Sequence, residues 1–336
     1  MATGFAELPQ RFAALTREHE RVAVVLLDAF GWKFVQRHAD HPFLQRLAIE
    51  PVASQFPSTT TAHLTTLYSG LPVGEHGLYE WQIYEPAVDG IVLPLPFVDQ
   101  QGEPLTLDPK TFVPSPTFFE QLEVPATALQ PQAIWPSTYS SAALAGASVV
   151  PFATFEEAAA QLGTRDGLTY VYWDAIDAAG HRFGPSSAEF DAAALHALDA
   201  LDEVRDTVIA VTADHGQLDV GEIDYLDALW PPLTEHLRHG PAGSARDCFL
   251  HVNDPETVVG ELANALGERA EVRLASELFD DPGPRLRARL ADVCVLPAPG
   301  RMAWLEAYPS RQLRFKGHHG GLTPEESQTW IGIMQA

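Results

Sequence analysis

The chain has 336 residues, 46% of them hydrophobic, enough to bury a large core in one big α/β domain or two smaller ones. A formal net charge of −24 repels phosphate polymers and so excludes a sequence-reading nucleic-acid binder, while a small anionic substrate remains compatible if cations line its pocket. Cys248 and Cys294 lie far apart with no CxxC spacing, which excludes a disulfide framework and a thiolate zinc site and makes both read as small core residues. The N-terminal stretch MATGFAELPQRFAALTREHE has no basic segment followed by a long apolar run. No later window approaches the about eighteen apolar residues of a membrane span, and the expectation is a cytoplasmic chain without membrane contact.

In chain order, RVAVVLLDAFGW reads as a buried parallel strand that ends in Asp28 and is followed by a turn and a helix. FPSTTTAH, Phe56 to His63, places three threonines before a helical pattern over Ala62–Tyr68, a common setting for a helix cap. Residues from about 79 to 116 are rich in proline and aromatics and read as an irregular or hairpin insertion at the rim. Helical patterns follow over Phe155–Leu162 and Ser187–Val204, with Phe190, Ala194, Leu198 and Leu201 on one stripe. Between and after them, LTYVYWDAID and TVIAVTADHGQ repeat the strand-then-acid grammar of the first strand. A second inserted unit, from about 241 to 313, contains a strand DCFLHV, a helix over Pro255–Leu266 and a strand ADVCVLP. Alternating strands and helices predict a mainly parallel central sheet with helices on both faces, in a single domain over 1–336 with insertions at the active-site rim. Ligands in such sheets bind beyond the carboxyl ends of the strands, so the acid-bearing ends are expected on one rim.

Four clusters can carry chemistry. Asp28 ends a strand; Asp214 and His215 follow one directly; Asp177 and His181 sit four residues apart; and His318 and His319 stand inside the glycine-rich FKGHHGG. Each alone has a bland reading as a cap, turn or satisfied polar group. Together they offer a mixed oxygen and nitrogen donor set that suits zinc ahead of manganese or iron.

LLDAFGW, FPSTTTAHLTTLYSGLPVGEHG, YWDAIDAAGHRFGP, VTADHG and GHHGGLTPEE occur in the order seen in the alkaline phosphatase superfamily. The chain most resembles its type I phosphodiesterase/nucleotide pyrophosphatase branch. The resemblance implies two zinc ions, one on Asp177, His181 and His319 and the other on Asp28, Asp214 and His215, with His318 facing the substrate or supporting the ligands. It makes Thr60 the nucleophile and a metal contact, leaving Thr59 or Thr61 as the cap. Independently, helical periodicity places Thr60 near a helix N-terminus, where partial positive charge favours an alkoxide and a bound phosphate.

Two departures bear on substrate. The branch's phosphate-binding Asn aligns with Trp81, with Gln82 beside it, so these two are the expected substrate contacts. No Arg follows Thr60, which favours a diester over a dianionic monoester; Arg182, Arg246 and Lys316 are the cations considered for completing a monoester site. Tyr79, Trp81, Tyr84 and Phe97 form either a stacking platform or the core of their own insertion. His63 reads as a structural histidine, and Glu80 and Asp174 as rim acids without a role. The expected activity is metal-dependent hydrolysis of phosphodiester or pyrophosphate bonds in a small, nucleotide-like molecule through a phosphothreonine. The rivals are a phosphomonoesterase, a phosphonate hydrolase and a non-enzymatic metal-stabilised scaffold or sensor.

Overall fold

The computed structural model describes residues 4–334. Seven strands form the central sheet: β1 (Arg21–Leu27), β2 (Ala48–Ala53), β3 (Ala126–Pro131), β4 (Ala147–Phe152), β5 (Gly167–Trp173), β6 (Val208–Thr212) and β7 (Gln328–Met334). Their spatial order is β2-β7-β6-β1-β5-β3-β4, with β7 antiparallel to both neighbours and the remaining pairs parallel. The helices that matter to the site are α1 (Leu8–Glu18), α2 (Thr60–Ser69), α3 (Ala175–Phe183) and α4 (Ala188–Asp202).

The period of two in β1 explains why helices cover both faces. Val22, Val24 and Leu26 join a core with Phe12 of α1 and Leu64 and Leu67 of α2. Ala23, Val25 and Leu27 point the other way, into a core with Phe190, Leu198 and Leu201 of α4. A strand buried on both faces has no polar alternation, and this makes β1 a continuous apolar run.

Register then assembles the rim. β1 pairs with β5 from Arg21↔Gly167 to Leu27↔Trp173 and with β6 from Val22↔Val208 to Leu26↔Thr212. Asp28, the segment leading into α3, and Asp214 therefore leave the sheet at one level. The reversed direction of β7 brings the loop before it, with His318 and His319, to the same rim. The predicted helix at Ala62–Tyr68 begins two residues earlier, because Thr59 caps it by accepting the Ala62 N–H at 3.5 Å. The Phe155–Leu162 pattern forms an α-helix only to Ala159.

The 79–116 stretch contains a small antiparallel sheet of Ile83–Glu85, Gly90–Leu93 and Val98–Asp99. The 241–313 stretch contains a four-stranded antiparallel sheet in which Asp247–Leu250 pairs with Val293–Pro297, covered by the helix Pro255–Leu266. Cys248 and Cys294 lie buried and unbonded in those two strands.

One ion pair joins this second unit to the histidine loop. Arg246, in the turn between Ala242–Ser244 and Asp247–Leu250, donates through Nε and Nη2 to the two oxygens of Glu326 at 3.0 and 2.9 Å. Its Nη1 donates to the carbonyls of Pro297 and Ala298, both at 3.0 Å. Glu326 also accepts the Gly321 N–H at 3.0 Å, which holds the end of the HHGG turn. Arg246 is thus committed to an ion pair, the commoner role for such a residue, and leaves the set of cations considered for a monoester site. Arg246→Met leaves Glu326 buried without its partner and is expected to cost about 3–5 kcal/mol of stability, measured by chemical denaturation. The double variant Arg246→Met/Glu326→Leu is expected to recover part of that loss.

Candidate active site

Thr60 is the first residue of α2, and its Oγ1 lies 3.2 Å from His215 Nε2 and 3.5 Å from each oxygen of Asp28. The first-turn N–H groups of a helix have no intrahelical acceptor, and Thr59 satisfies only that of Ala62. Thr60 therefore presents a hydroxyl where helix geometry favours negative charge.

Asp28, Asp214 and His215 form one cluster of converging ligand atoms; His181, His318 and His319 form another. Asp177 sits within the second, its Oδ2 3.2 Å from His181 Nε2 and its Oδ1 3.6 Å from His319 Nε2. The His215 and His319 rings stack with centroids 3.7 Å apart and link the two clusters. All seven residues expected from the sequence to hold metal, Thr60 included, are brought together.

The histidines are oriented by backbone. Nδ1 of His181, His215 and His319 bonds the carbonyls of Gly317, Gly216 and Ser58 at 2.8, 3.1 and 2.9 Å. In the neutral rings this puts the hydrogen on Nδ1 and leaves Nε2 a lone pair aimed at the cluster. His318 is the opposite case: its Nδ1 accepts the His319 N–H at 2.9 Å, so the ring hydrogen sits on Nε2. That tautomer is a donor and not a ligand, which favours Asp177 over His318 as the third member of its cluster.

Gln217 donates to Asp177 Oδ1 and orients it. Gly180 makes this contact possible, since a Cβ there would lie 1.9 Å from Gln217 Oε1. A Cβ on Gly216 would meet the Glu325 carbonyl oxygen at 2.1 Å, so the turn after His215 also admits only glycine. Ala29, with φ 62°, holds the left-handed turn after β1 and donates its N–H to Asp214 Oδ1 at 3.0 Å.

The electrostatics call for a cation. Burial, with Asp214 and Asp177 close by, pushes Asp28 well above the usual carboxylate range despite a hydrogen bond from Tyr172. Burial also raises Asp214 and lowers His215 to about 4 and His319 to about 3. Burial acts against the charge of Asp177, but His181 and His319 outweigh it and hold that carboxyl below its ordinary range. Asp214 Oδ2 is buried and has no hydrogen-bond partner among the described residues. An orphaned carboxylate oxygen aimed among imidazole lone pairs fits a divalent metal.

A cavity of about 530 Å³ opens beside Thr60, Asp177, His181 and His319. Trp81 and Gln82 line it; Gln100 donates to Gln82 Oε1 at 3.1 Å, leaving the amide's own N–H groups as donors. The proposed four-membered aromatic platform does not form. Tyr79 and Phe97 are buried in the core, and Tyr84 packs against His239 and His251. The other aromatic walls are Trp304, Tyr308 and Phe315, and Phe315 stacks on His181 at 4.1 Å. Arg182 lies over the Phe183 ring, and neither it nor Lys316 lines the cavity; the cation that does is Arg311. Sequence reasoning missed Arg311, Trp304 and Tyr308, which belong to no motif; Phe315 had a signal in its place beside HHGG.

His63 is structural, as expected. It accepts at Nε2 from the Gln55 N–H at 3.0 Å and donates from Nδ1 to the Thr59 carbonyl at 2.7 Å, fixing the turn that carries Thr60.

This is an α/β protein with a positioned hydroxyl between two Asp/His clusters at the carboxyl edge of its sheet. The family model of type I phosphodiesterase/nucleotide pyrophosphatase matches residues 22–322, and the chain belongs to that family, phosphoester hydrolases of the alkaline phosphatase superfamily. Among solved structures, an inactive form of murine ectonucleotide pyrophosphatase/phosphodiesterase 5 in complex with AMP superposes with a TM-score of 0.70 at 16% identity, over 94% of this chain and 88% of that one. Phosphonoacetate hydrolase from Sinorhizobium meliloti 1021, in complex with phosphonoformate, gives 0.68 at 17% identity, over 94% and 90%. At such identities the likeness is one of fold. No curated protein sequence matches the chain. Among the described residues no helix is long and apolar enough to cross a membrane.

The cavity wall also holds Glu80, whose pKa burial raises to about 8, beside Asp247, which burial and Glu80 raise well above its ordinary value. The folded protein keeps a proton on Glu80 that the unfolded chain releases above about 4.5, so this group destabilises the fold progressively as pH rises from there to about 8. Glu80→Gln removes that titration. Its melting temperature relative to the wild type is expected to climb between about pH 5 and pH 8, read by thermal denaturation across that range.

Proposed function

We propose that the protein hydrolyses phosphodiester or pyrophosphate bonds of small molecules at Thr60, through a phosphothreonine intermediate. The observation that carries this reading is the Thr60 hydroxyl at a helix N-terminus, 3.2 Å from His215 and 3.5 Å from Asp28. Asp28, Asp214 and His215 would hold one divalent ion and Asp177, His181 and His319 the other, and the mixed donor set favours zinc. Bound there, such ions would lower the pKa of the Thr60 hydroxyl and neutralise charge on phosphoryl oxygens.

The chain's own residues do the positioning. The α2 N-terminus and its unspent N–H groups receive the anionic phosphoryl group. Thr60 Oγ1 gives up its proton to water and forms a bond to phosphorus as the bond to the leaving oxygen breaks, and the leaving oxygen departs into the cavity and takes a proton from water. Water then attacks the phosphothreonine, the phosphoryl group passes to water, and Thr60 regains its hydroxyl. Gln82 contributes amide N–H donors and Trp81 an apolar wall where the family's pattern has Asn. No Arg follows Thr60, so this edge of the site suits the lower charge of a diester.

Turnover of bis-p-nitrophenyl phosphate, p-nitrophenyl phosphate and p-nitrophenyl thymidine monophosphate tests the reading. Preference for the two diesters is expected, with Thr60→Ala lowering kcat by at least about a thousandfold while metal content is unchanged. Preference for the monoester would replace the diester reading, and Thr60-independent turnover would remove the phosphothreonine. Treatment with a chelator is expected to abolish turnover, and added zinc to restore it, measured by the same assay.

A further inference from the structure

Arg311 opens the short helical turn Arg311–Arg314, which Ser310 caps by accepting the Gln312 N–H at 3.3 Å. Gln312 is buried, and its Oε1 accepts the Ala245 N–H at 3.0 Å, so the turn is anchored to the second inserted unit. Arg311 itself is exposed and lines the cavity, which places it where the cavity meets solvent.

What sets it apart is its position: Arg17, Arg182 and Arg314 are also without an ion pair or side-chain hydrogen bond among the described residues, but none of them lines the cavity. Arg246, Arg269, Arg289 and Arg301 all hold carboxylates. Arg311 makes no ion pair or side-chain hydrogen bond among the described residues, although the chain carries 45 acidic groups against 21 basic ones. Among the described residues no other Lys or Arg lines the cavity. A guanidinium left unpaired at a cavity in a strongly acidic protein is a ready fork for a carboxylate or phosphate.

We infer that Arg311 is a specificity residue that binds a second anionic group, a carboxylate or phosphate, on the part of the substrate remote from the phosphoryl group at Thr60. The inference rests on the reading of Thr60 as the reacting group and adds the class of substrate: phosphoesters or phosphonates whose far end carries negative charge. The placement is consistent with Thr60 and Arg311 lining one cavity whose intervening walls include Trp81, Gln82 and Phe315. The charge offsets locally the repulsion of an anionic substrate by the rest of the chain.

The test compares wild type, Arg311→Ala and Arg311→Lys, all zinc-loaded. One probe, bis-p-nitrophenyl phosphate, has no second charge; adenosine diphosphate presents a phosphate and phosphonoacetate a carboxylate. For at least one charged probe, Arg311→Ala is expected to lower kcat/KM by about 10–100-fold, mostly through KM, with Arg311→Lys intermediate. The uncharged-tail diester is expected to change less than about twofold. The charged probe that responds identifies the group bound. Calorimetric binding of both charged probes to Thr60→Ala, with and without Arg311→Ala, supplies a readout independent of turnover. If no probe is turned over but Arg311 still governs binding, the Thr60 reading fails and the anion site stands. Equal loss on charged and uncharged probes, no loss on any, or no binding of either charged probe by the parent protein would overturn the inference.

Discussion

Asp28, Asp177 and Asp214 are gathered in a buried space with no Lys or Arg among their partners, and everything around them follows from that constraint. Desolvated carboxylates repel one another, and a buried charge without a counterion is costly. The protein supplies three imidazoles whose Nδ1 atoms are tied to backbone carbonyls, which directs Nε2 of each toward the cluster. It leaves Asp214 Oδ2 without a hydrogen bond. Such an arrangement is self-consistent with divalent cations at its centre, and it places the Thr60 hydroxyl within reach of the same ligands.

The remaining architecture holds this cluster together. The parallel pairing of β1 with β5 and β6 sets Asp28, the α3 segment and Asp214 at one level. The reversed β7 returns the HHGG loop to that level. Arg246 and Glu326 lock the loop to the second inserted unit, so the unit that shapes the far wall of the cavity also steadies the metal-facing histidines. The cavity wall and the histidine loop are therefore mechanically joined: the turn bearing Arg311 and the turn bearing Glu326 both anchor on the segment from Ser244 to Asp247.

The difference in construction between the Asp/His clusters and the cavity wall also has a physical basis. Ligands must converge within a few ångströms, so they come from strand ends and tight glycine turns that tolerate no side chain, as at Gly180 and Gly216. The cavity wall needs only a suitable surface. It is built from Trp81 and Gln82 of the 79–116 stretch, Trp304, Tyr308 and Arg311 of the 241–313 stretch, and Phe315 just after it.

Much of this was legible in the sequence. Three of the seven strands of the central sheet, β1, β5 and β6, read as apolar runs with acids at or just beyond their ends, and short-range spacing showed Asp177 with His181 and Asp214 with His215. A cap at Thr59 or Thr61, a helix from about Ala62 and two strands of the second unit followed from local chemistry that acts within a few residues; the structure chose Thr59 and began the helix at Thr60. What the tertiary structure alone decided depends on long-range pairing. The antiparallel sense of β7 has no local signature, because strand direction is set by the partner and not by the residues. The His318 tautomer follows from one hydrogen bond across a turn. Arg246, a free cation on paper, is spent on Glu326, eighty residues away, while Arg311, which no motif marks, is left unpaired at the cavity by the fold. Composition and spacing determine which chemistry is available; which charges remain unpaired is determined only when distant segments meet.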